Sequence, residues 1–345
     1  VGQYQADLSA GKPAGRLPEV AAHARGETRT VNKTIILLDT DPGVDDALAL
    51  LYLHRHPDVQ LAGITTVAGN GPIDIVTRNA RYLAQRFGMS VPIARGAAGS
   101  LGGSTHLAGA SVHGNNGLGD VEIDEPDYPL DPRPAHRVII DTVRARPGEV
   151  TLLAIGMLTN LAQALIEDPG IAALVRSVVI MGGAFVGHSG NRTPVAEANI
   201  ESDPVAADIV MTASWPVRII GLNVTESVVM TADYLQTLRA AGTPEADFIW
   251  QITRSYERYY FTARGVPGIY AHDPMAAVCA VDDTAFTFAR GAVRVVRDGV
   301  AAGLTIQRPA DRTFAPNPWD GMPDQEVAVG VDTAALLAAF AAPFR

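Results

Sequence analysis

From residue 34 onward, short wholly apolar runs alternate with stretches whose apolar residues return every three or four positions. Thr34-Ile-Ile-Leu-Leu-Asp39 belongs to the first kind, the mark of a strand buried on both faces. Residues 45–54 belong to the second, with Ala47, Leu50, Leu51 and His54 at helical spacing. The alternation continues with a strand over 59–67, a helix over 74–87, a strand over 91–94 and a long Gly-rich loop reaching Asp120. A helix over 134–145, a strand over 150–154, a helix over 158–167 and a strand over 177–181 follow. After a polar loop over 182–201 come a helix over 203–211, opened by Asp-Pro, and a strand over 217–222. Another helix is expected to begin at Pro274. Beyond Phe286 the period shortens to two in segments 292–296, 304–307 and 327–331, which predict edge or antiparallel strands, and the Ala-rich stretch 333–340 predicts a closing helix. Strands alternating with helices define an α/β class: a mostly parallel, mixed sheet with helices on both faces. With no internal repeat and no linker, 34–345 is expected to be one domain.

Composition narrows the partners. The 345 residues are 47% hydrophobic and 19% charged, a globular balance. Formal net charge is −10 and the only lysines are Lys12 and Lys33, so nucleic acid and anionic membrane are poor partners. A small ligand or a metal cation suits the chain better. Cys279, the single cysteine, sits in an apolar run and reads as a core thiol; alone it forms neither an internal disulfide nor a multi-cysteine zinc site. No stretch approaches the ~20 apolar residues of a membrane span. Residues 1–33 lack an apolar signal core and read as a polar, flexible leader, so cytoplasmic residence is the expectation.

Chemistry gathers after the first strand, in Asp39-Thr-Asp-Pro-Gly-Val-Asp-Asp46. A helix cap explains one aspartate; four carboxylates within eight residues repel one another unless a cation sits among them. Oxygen donors without cysteine or paired histidine select a hard cation such as Ca²⁺ or Mg²⁺. Further polar clusters follow later strands: Gly69-Asn70-Gly71, His113-Gly-Asn-Asn-Gly117, then Asn191, Glu197 and Asn199. Singly, Asn70 or Asn191 reads as a turn residue; together they fall on the carboxyl edge of the sheet, where open α/β folds bind ligands. In Tyr270-Ala-His-Asp-Pro274, Asp273 reads equally as a helix cap and His272 as a core histidine. Tyr256, Tyr260 and Arg264 recur every four residues on one helix face, as core packing or as the wall of an aromatic-base pocket.

These segments resemble the inosine-uridine nucleoside hydrolase family. The resemblance is carried by Asp39-Thr-Asp-Pro-Gly-Val-Asp-Asp-Ala47, Thr65-Thr-Val-Ala-Gly-Asn70, Gly156-Met-Leu-Thr-Asn160, Met181-Gly-Gly183, Val195-Ala-Glu-Ala-Asn-Ile200 and His272-Asp-Pro274. They occur in the family's order across nearly all of 34–345. The resemblance implies a single Rossmann-like α/β domain, assembled as a homodimer or homotetramer, that hydrolyses ribonucleosides with a calcium-bound water. It implies calcium ligands at Asp41, Asp46, Asp273 and the Ile155 carbonyl, with Asp41 also activating the water. Asp45, Asn70, Asn191, Glu197 and Asn199 match positions that grip the ribose. His272 matches the residue assisting the departing base, and His113 lies in the loop flanking it. Two features at the pocket rim bear on base preference: Asn-Asn after His113, and a short insertion around 185–189.

Two other readings share these residues. Asp-x-Asp after a strand also resembles a metal-dependent phosphatase of the haloacid dehalogenase type, although Lys33 precedes the strand and no clear lysine follows. A non-catalytic nucleoside- or sugar-binding protein would use the same scaffold, against which stands the intact set Asp41, Asp46, His272 and Asp273.

No residue of 1–32 belongs to any of these clusters, and polar terminal segments tolerate removal. A chain beginning at Asn32 is therefore expected to keep its kcat and KM. A large loss of kcat in a folded truncation would show instead that the leader reaches a site.

Overall fold

The computed structural model describes residues 33–102 and 110–345, with side chains from 112 onward in the second stretch. All but the last residue of the expected leader, and part of the Gly-rich loop, lie outside the described residues. Residues Lys33–Arg345 pack as one unit. Its strands are β1 (Thr34–Thr40), β2 (Val59–Thr66), β3 (Ile93–Arg95), β4 (Val150–Ala154), β5 (Ser177–Met181), β6 (Val217–Ile220), β7 (Val229–Thr231), β8 (Gly268–Tyr270), β9 (Phe286–Val295), β10 (Thr305–Gln307) and β11 (Asp324–Val331).

Nine of the described strands form a mixed sheet in the order β10-β9-β11-β6-β5-β4-β1-β2-β3, while β7 and β8 pair apart from it. From β3 across to β11 every pairing is parallel; β9 and β10 extend the edge antiparallel. The chain winds outward from β1 to β3, then returns to β4 on the other side of β1. That reversal opens a crevice beyond the carboxyl ends of β1 and β4, the switch point at which such sheets bind ligands.

Side-chain alternation along β1 explains why both faces are covered. Ile36 and Leu38 pack with Leu48 and Leu51 of the helix Val44–Arg55 and Met275 of the helix His272–Val281. Ile35 and Leu37 point the other way, among Val138, Leu161 and Val210 of the helices Ala135–Ala145, Thr159–Glu167 and Pro204–Thr212. Each buried aliphatic side chain contributes roughly 1.5–3 kcal/mol, so the two layers together hold the sheet. Cys279 lies in this core, 2% exposed, as its apolar setting predicts.

Helix boundaries follow local chemistry. Asp203 accepts a hydrogen bond from the Ala206 N–H ahead of Pro204, and Thr243 does the same for Ala246 ahead of Pro244. The helix Pro244–Arg264 runs 21 residues and stops at Gly265, whose φ of +68° is left-handed. Several boundaries differ from those expected. The third strand sits later, at Ile93–Arg95, and the sixth ends at Ile220, because Leu222 already opens a short helix, Leu222–Thr225. Both long loops contain helical turns, Ala110–His113 and Ala198–Ser202. The last parallel helix begins at His272, two residues before Pro274, since proline is tolerated within a first turn. β9 starts at Phe286 rather than at 292, and β7, β8 and the helix Ala232–Arg239 were not foreseen.

The antiparallel extension is fastened to the helical layer by Asp208, whose side chain is 0% exposed. It accepts from Arg294 Nε at 2.8 Å, Arg297 Nε at 2.7 Å and the Val295 N–H at 3.0 Å. Burial pushes this carboxyl up, but the Arg294, Val295 and Arg297 hydrogen bonds outweigh it and hold the group below the usual carboxylate range. Removing one partner of a buried pair costs about 3–5 kcal/mol; with both arginines partly solvated, Asp208→Ala should cost about 2–3 kcal/mol. Because the folded carboxyl titrates below the unfolded one, this stabilisation is complete above the unfolded pKa and disappears as pH falls through the folded value. Thermal melts of wild type and Asp208→Ala should therefore converge in acid; a constant gap down to pH 2 would contradict the assignment.

Candidate active site

The end of β1 carries the acidic segment into the crevice, and its carboxylates are held unequally. Asp46, in the first turn of the helix Val44–Arg55, accepts from Thr40 Oγ1 at 2.6 Å, the Asp41 N–H at 3.2 Å, the Gly43 N–H at 3.0 Å and Asn70 Nδ2 at 2.7 Å. Asp39 is turned into the sheet, where Thr65 Oγ1 and Asn160 Nδ2 donate to Oδ1 at 2.6 and 2.8 Å. Asp41 accepts only the Asn70 N–H, at 2.6 Å, on Oδ2, and Asp45 accepts Tyr256 Oη at 3.1 Å on Oδ2. Asp41 Oδ1 and Asp45 Oδ1 are buried and have no hydrogen-bond partner among the described residues.

Two glycines make room for Asp41. A Cβ on Gly156 would lie 2.5 Å from Asp41 Oδ1, and one on Gly69 would overlap Oδ2. Glycine is thus required on both flanks of the carboxylate because the backbone comes so close.

Electrostatically the cluster is unsatisfied. Burial, followed by Asp46, raises the Asp41 carboxyl well above its usual range; burial, followed by Asp45 and Asp46, does the same to Asp273. Burial also pushes Asp39 up to about 7. The helices Val44–Arg55 and His272–Val281 both begin at the cluster, and their N-terminal dipoles favour negative charge without cancelling this repulsion. Asp45, Asp46 and Asp273 each bring a carboxylate oxygen within 4.8 Å of the others. Orphaned buried oxygens in an all-carboxylate setting fit a hard cation.

The tightest trio contains Asp45 in the place the resemblance gives to Asp41, which lies beside it against Asn70. Ile155, whose carbonyl is an implied ligand, instead accepts from Asn199 Nδ2 at 2.9 Å. That amide also reaches the Met181 carbonyl at 3.2 Å, tying the ends of β4 and β5. Glu197 caps the helix Ala198–Ser202, accepting from the N–H groups of Asn199, Ile200 and Gly183; burial lifts it to about 7. Asn191 Oδ1 accepts the Ala198 N–H at 3.0 Å.

Opposite this polar floor stands an aromatic wall. The Tyr256 and Tyr260 hydroxyls lie 3.3 Å apart, and Tyr260 Oη lies 3.0 Å from His272 Nε2. His113 packs on Tyr256 with ring centroids 5.2 Å apart, and its Nδ1 accepts the Val44 N–H at 3.2 Å. Burial pushes His272 down to about 3 and His113 down to about 4, so both rings are neutral near pH 7. His272 thereby offers a neutral N–H rather than an imidazolium. Arg264 pairs with Glu226 at 3.1 Å on the rim.

One cavity joins floor and wall. Asp45, Asn70, Ile155, Asn191, Glu197, Asn199 and Asp273 line its polar side, and His113, Tyr256, Tyr260, Arg264 and His272 the other. Asp41 and Asp46 lie just behind this lining, bonded through Asn70. Arg192, Glu226 and Tyr259 also line the cavity and were not singled out in the sequence. Tyr259 had a signal, adjacency to Tyr260 on the same helix; Glu226 had none, since the four-residue helix before it is too short to show a period.

Fold and site together define an α/β enzyme that works on a small ligand in its switch-point crevice. Comparison with known proteins narrows the class. The chain is 38% identical over 304 residues to uridine nucleosidase 1 of Arabidopsis thaliana, covering 88% of this chain and 90% of that one. It is 38% identical over 276 residues to the inosine-uridine preferring nucleoside hydrolase of Leishmania major, covering 79% and 86%. A solved plant nucleoside hydrolase superposes with a TM-score of 0.88 at 35% identity, over 90% of this chain and 98% of that one. The sequence profile described as inosine-uridine preferring nucleoside hydrolase matches residues 36–338. The chain belongs to the inosine-uridine preferring nucleoside hydrolase family. It is a ribonucleoside hydrolase, and the phosphatase and non-catalytic readings are set aside.

A cation held by this cluster should be measurable directly. Elemental analysis is expected to find a divalent ion in the wild type and none in Asp46→Ala, whose turnover should fall by at least about 10²-fold. Full activity after exhaustive chelation, with no metal detected, would dismiss the site. Gly156→Ala, which intrudes on Asp41 without altering charge, should weaken retention of the same ion while the protein stays folded.

Proposed function

We propose that this enzyme cleaves the N-glycosidic bond of ribonucleosides of the inosine and uridine type, or of broad range, to ribose and free base, with Ca²⁺ as its resident ion. The observation that carries the reading is the union, in one cavity, of a floor rich in hydrogen-bonding carboxylates and amides with a wall of tyrosines and histidines. Ribose hydroxyls suit the first and a planar base the second.

The reaction joins a water oxygen to C1′ as the C1′–N bond breaks, with the electron pair departing on the base. A proton must leave the water, and hydrogen-bonding help must reach the departing nitrogen. Asp41 Oδ1, buried and without a partner, is the group to take the water's proton. A Ca²⁺ held by Asp41, Asp46, Asp273 and the Ile155 carbonyl would supply positive charge to acidify that water and to orient the sugar diol. Asp45, Asn70, Asn191, Glu197 and Asn199 grip the sugar hydroxyls, fixing C1′ in place. Tyr256, Tyr260 and Arg264 flank the base together with His113, and His272 presents its neutral N–H toward that side.

The wider setting follows the same reading. Small nucleosides, rather than nucleic acid or a membrane, are the partners of this acidic chain, and no helix among the described residues is long and apolar enough to cross a membrane. A homodimer or homotetramer in the cytoplasm is the expected assembly.

Assays of free base and ribose across a ribonucleoside panel test the proposal. Inosine and uridine should be cleaved, while 2′-deoxyinosine should be disfavoured by roughly tenfold or more in kcat/KM, because buried groups meant for the 2′-hydroxyl stay unpaired. Comparable kcat/KM for inosine and its deoxy analogue would remove the proposed sugar contacts. Failure on every ribonucleoside would remove the proposal itself.

A further inference from the structure

We infer that Thr225 is a positioning residue for the leaving-group histidine: its hydroxyl donates to His272 Nδ1 and holds the ring with its proton on Nε2, facing the cavity. The kinetic part of this inference rests on the function proposed above.

Proton counting along one chain of buried side chains leads to it. The Tyr256 hydroxyl donates to Asp45 Oδ2 at 3.1 Å. A phenol has one proton. With its own committed to Asp45, the Tyr256 oxygen is left as the acceptor for Tyr260, 3.3 Å away. Tyr260 has then spent its proton in turn, and its oxygen accepts from the only remaining neighbour, His272 Nε2 at 3.0 Å. At the other ring nitrogen, Nδ1 meets the Thr225 hydroxyl, whose proton has no other acceptor among the described residues and so goes to Nδ1, leaving that nitrogen bare. Thr225 Oγ1 lies 2.8 Å from it. The direction of every bond in the series is thus set by the carboxylate at one end, and Thr225 closes the other end as the one group with a proton to give.

The surroundings leave Thr225 no competing duty. Its residue is 0% exposed, which keeps water from the hydroxyl, and His272 Nδ1 is its only side-chain partner among the described residues. Its backbone is fixed as the last residue of the helix Leu222–Thr225, with its N–H on the Gly221 carbonyl at 3.1 Å and Leu222 and Val224 in the core. The donor therefore sits on the frame that continues β6, while the ring it orients belongs to the first turn that also carries Asp273. Without the hydroxyl, a bare Nδ1 would be buried unpaired. The ring would then recover by moving its proton to Nδ1, which turns the N–H away from Tyr260 and from the base side of the cavity.

Two measurements test the assignment. In enzyme labelled with ¹⁵N-histidine, with the His272 signals identified by their loss in His272→Asn, the ring should carry its proton on Nε2; a proton on Nδ1 overturns the inference whatever the enzyme's activity. In kinetics, Thr225→Val should lower kcat for inosine by about 10²-fold with little change in KM. The same variant should hydrolyse p-nitrophenyl riboside, whose leaving group needs no such help, within about threefold of wild type. Thr225→Ser, which keeps the hydroxyl, should restore inosine turnover. Equal losses on both substrates, or a serine variant as impaired as valine, overturn the positioning role. Should Thr225→Val not fold, the histidine spectrum of the unsubstituted enzyme and the serine variant still decide. An unsubstituted enzyme that cleaves no ribonucleoside refutes the proposed function, and the spectrum judges the tautomer separately.

Discussion

Mutual repulsion among carboxylates buried at the end of β1 is the constraint around which the rest of this molecule is organised. Water would relieve such repulsion, yet these groups are almost wholly removed from water. The fold supplies what dipoles it can. Two helices begin at the cluster, and four donors converge on Asp46 alone. Asp41 Oδ1 and Asp45 Oδ1 remain without partners among the described residues. A chain that keeps buried acceptors unpaired loses stability, and such a loss persists where it serves a ligand. The parallel sheet makes this arrangement possible, because β1 and β4 end side by side at its switch point and Gly156 there leaves room for the Asp41 carboxylate.

The same geometry divides the labour of the site. Strand ends and helix first turns carry the carboxylates of the floor; a single long helix, Pro244–Arg264, carries the tyrosines of the wall. Tyr256 belongs to both halves, since its ring packs against His113 while its hydroxyl reaches Asp45. Asp45 and His272 therefore belong to one hydrogen-bonded series through Tyr256 and Tyr260.

Much of this was legible in the sequence, for reasons that differ by element. The acidic segment stood out by its density, because four like charges in so few residues have no bland explanation. Tyr256, Tyr260 and Arg264 declared a common helix face by their spacing, and long apolar strands such as β1, β4 and β5 declared themselves by runs that burial on two faces requires. The order of strands across the sheet was not legible, since periodicity carries no information about neighbours. Nor was the helix Leu222–Thr225, whose four residues cannot display a period and whose functional bond reaches a residue 47 positions away. Near His272 the boundary was misplaced by two residues, because proline is a stop signal inside a helix and a neutral one in its first turn. The approach of Asp45 to Asp46 and Asp273 is set by tertiary structure, which no local pattern encodes.

The polar loop between β5 and the helix Ala198–Ser202 contributes Asn191 and Glu197 to the floor of the cavity, while His188 from the same loop approaches Glu226 at 3.7 Å on its rim. Among the described residues, His188 is paired with none of the carboxylates at the end of β1. Variation around His188 is consequently separated from the floor, unlike variation at Asn191 or Glu197 of the same loop. Lineages sharing the floor are free to diverge in which bases they accept, by substitution or by insertions like that around 185–189, without a compensating change beneath. Diet, in effect, is written on the lips of the pocket and chemistry in its throat, so the two can evolve at different rates.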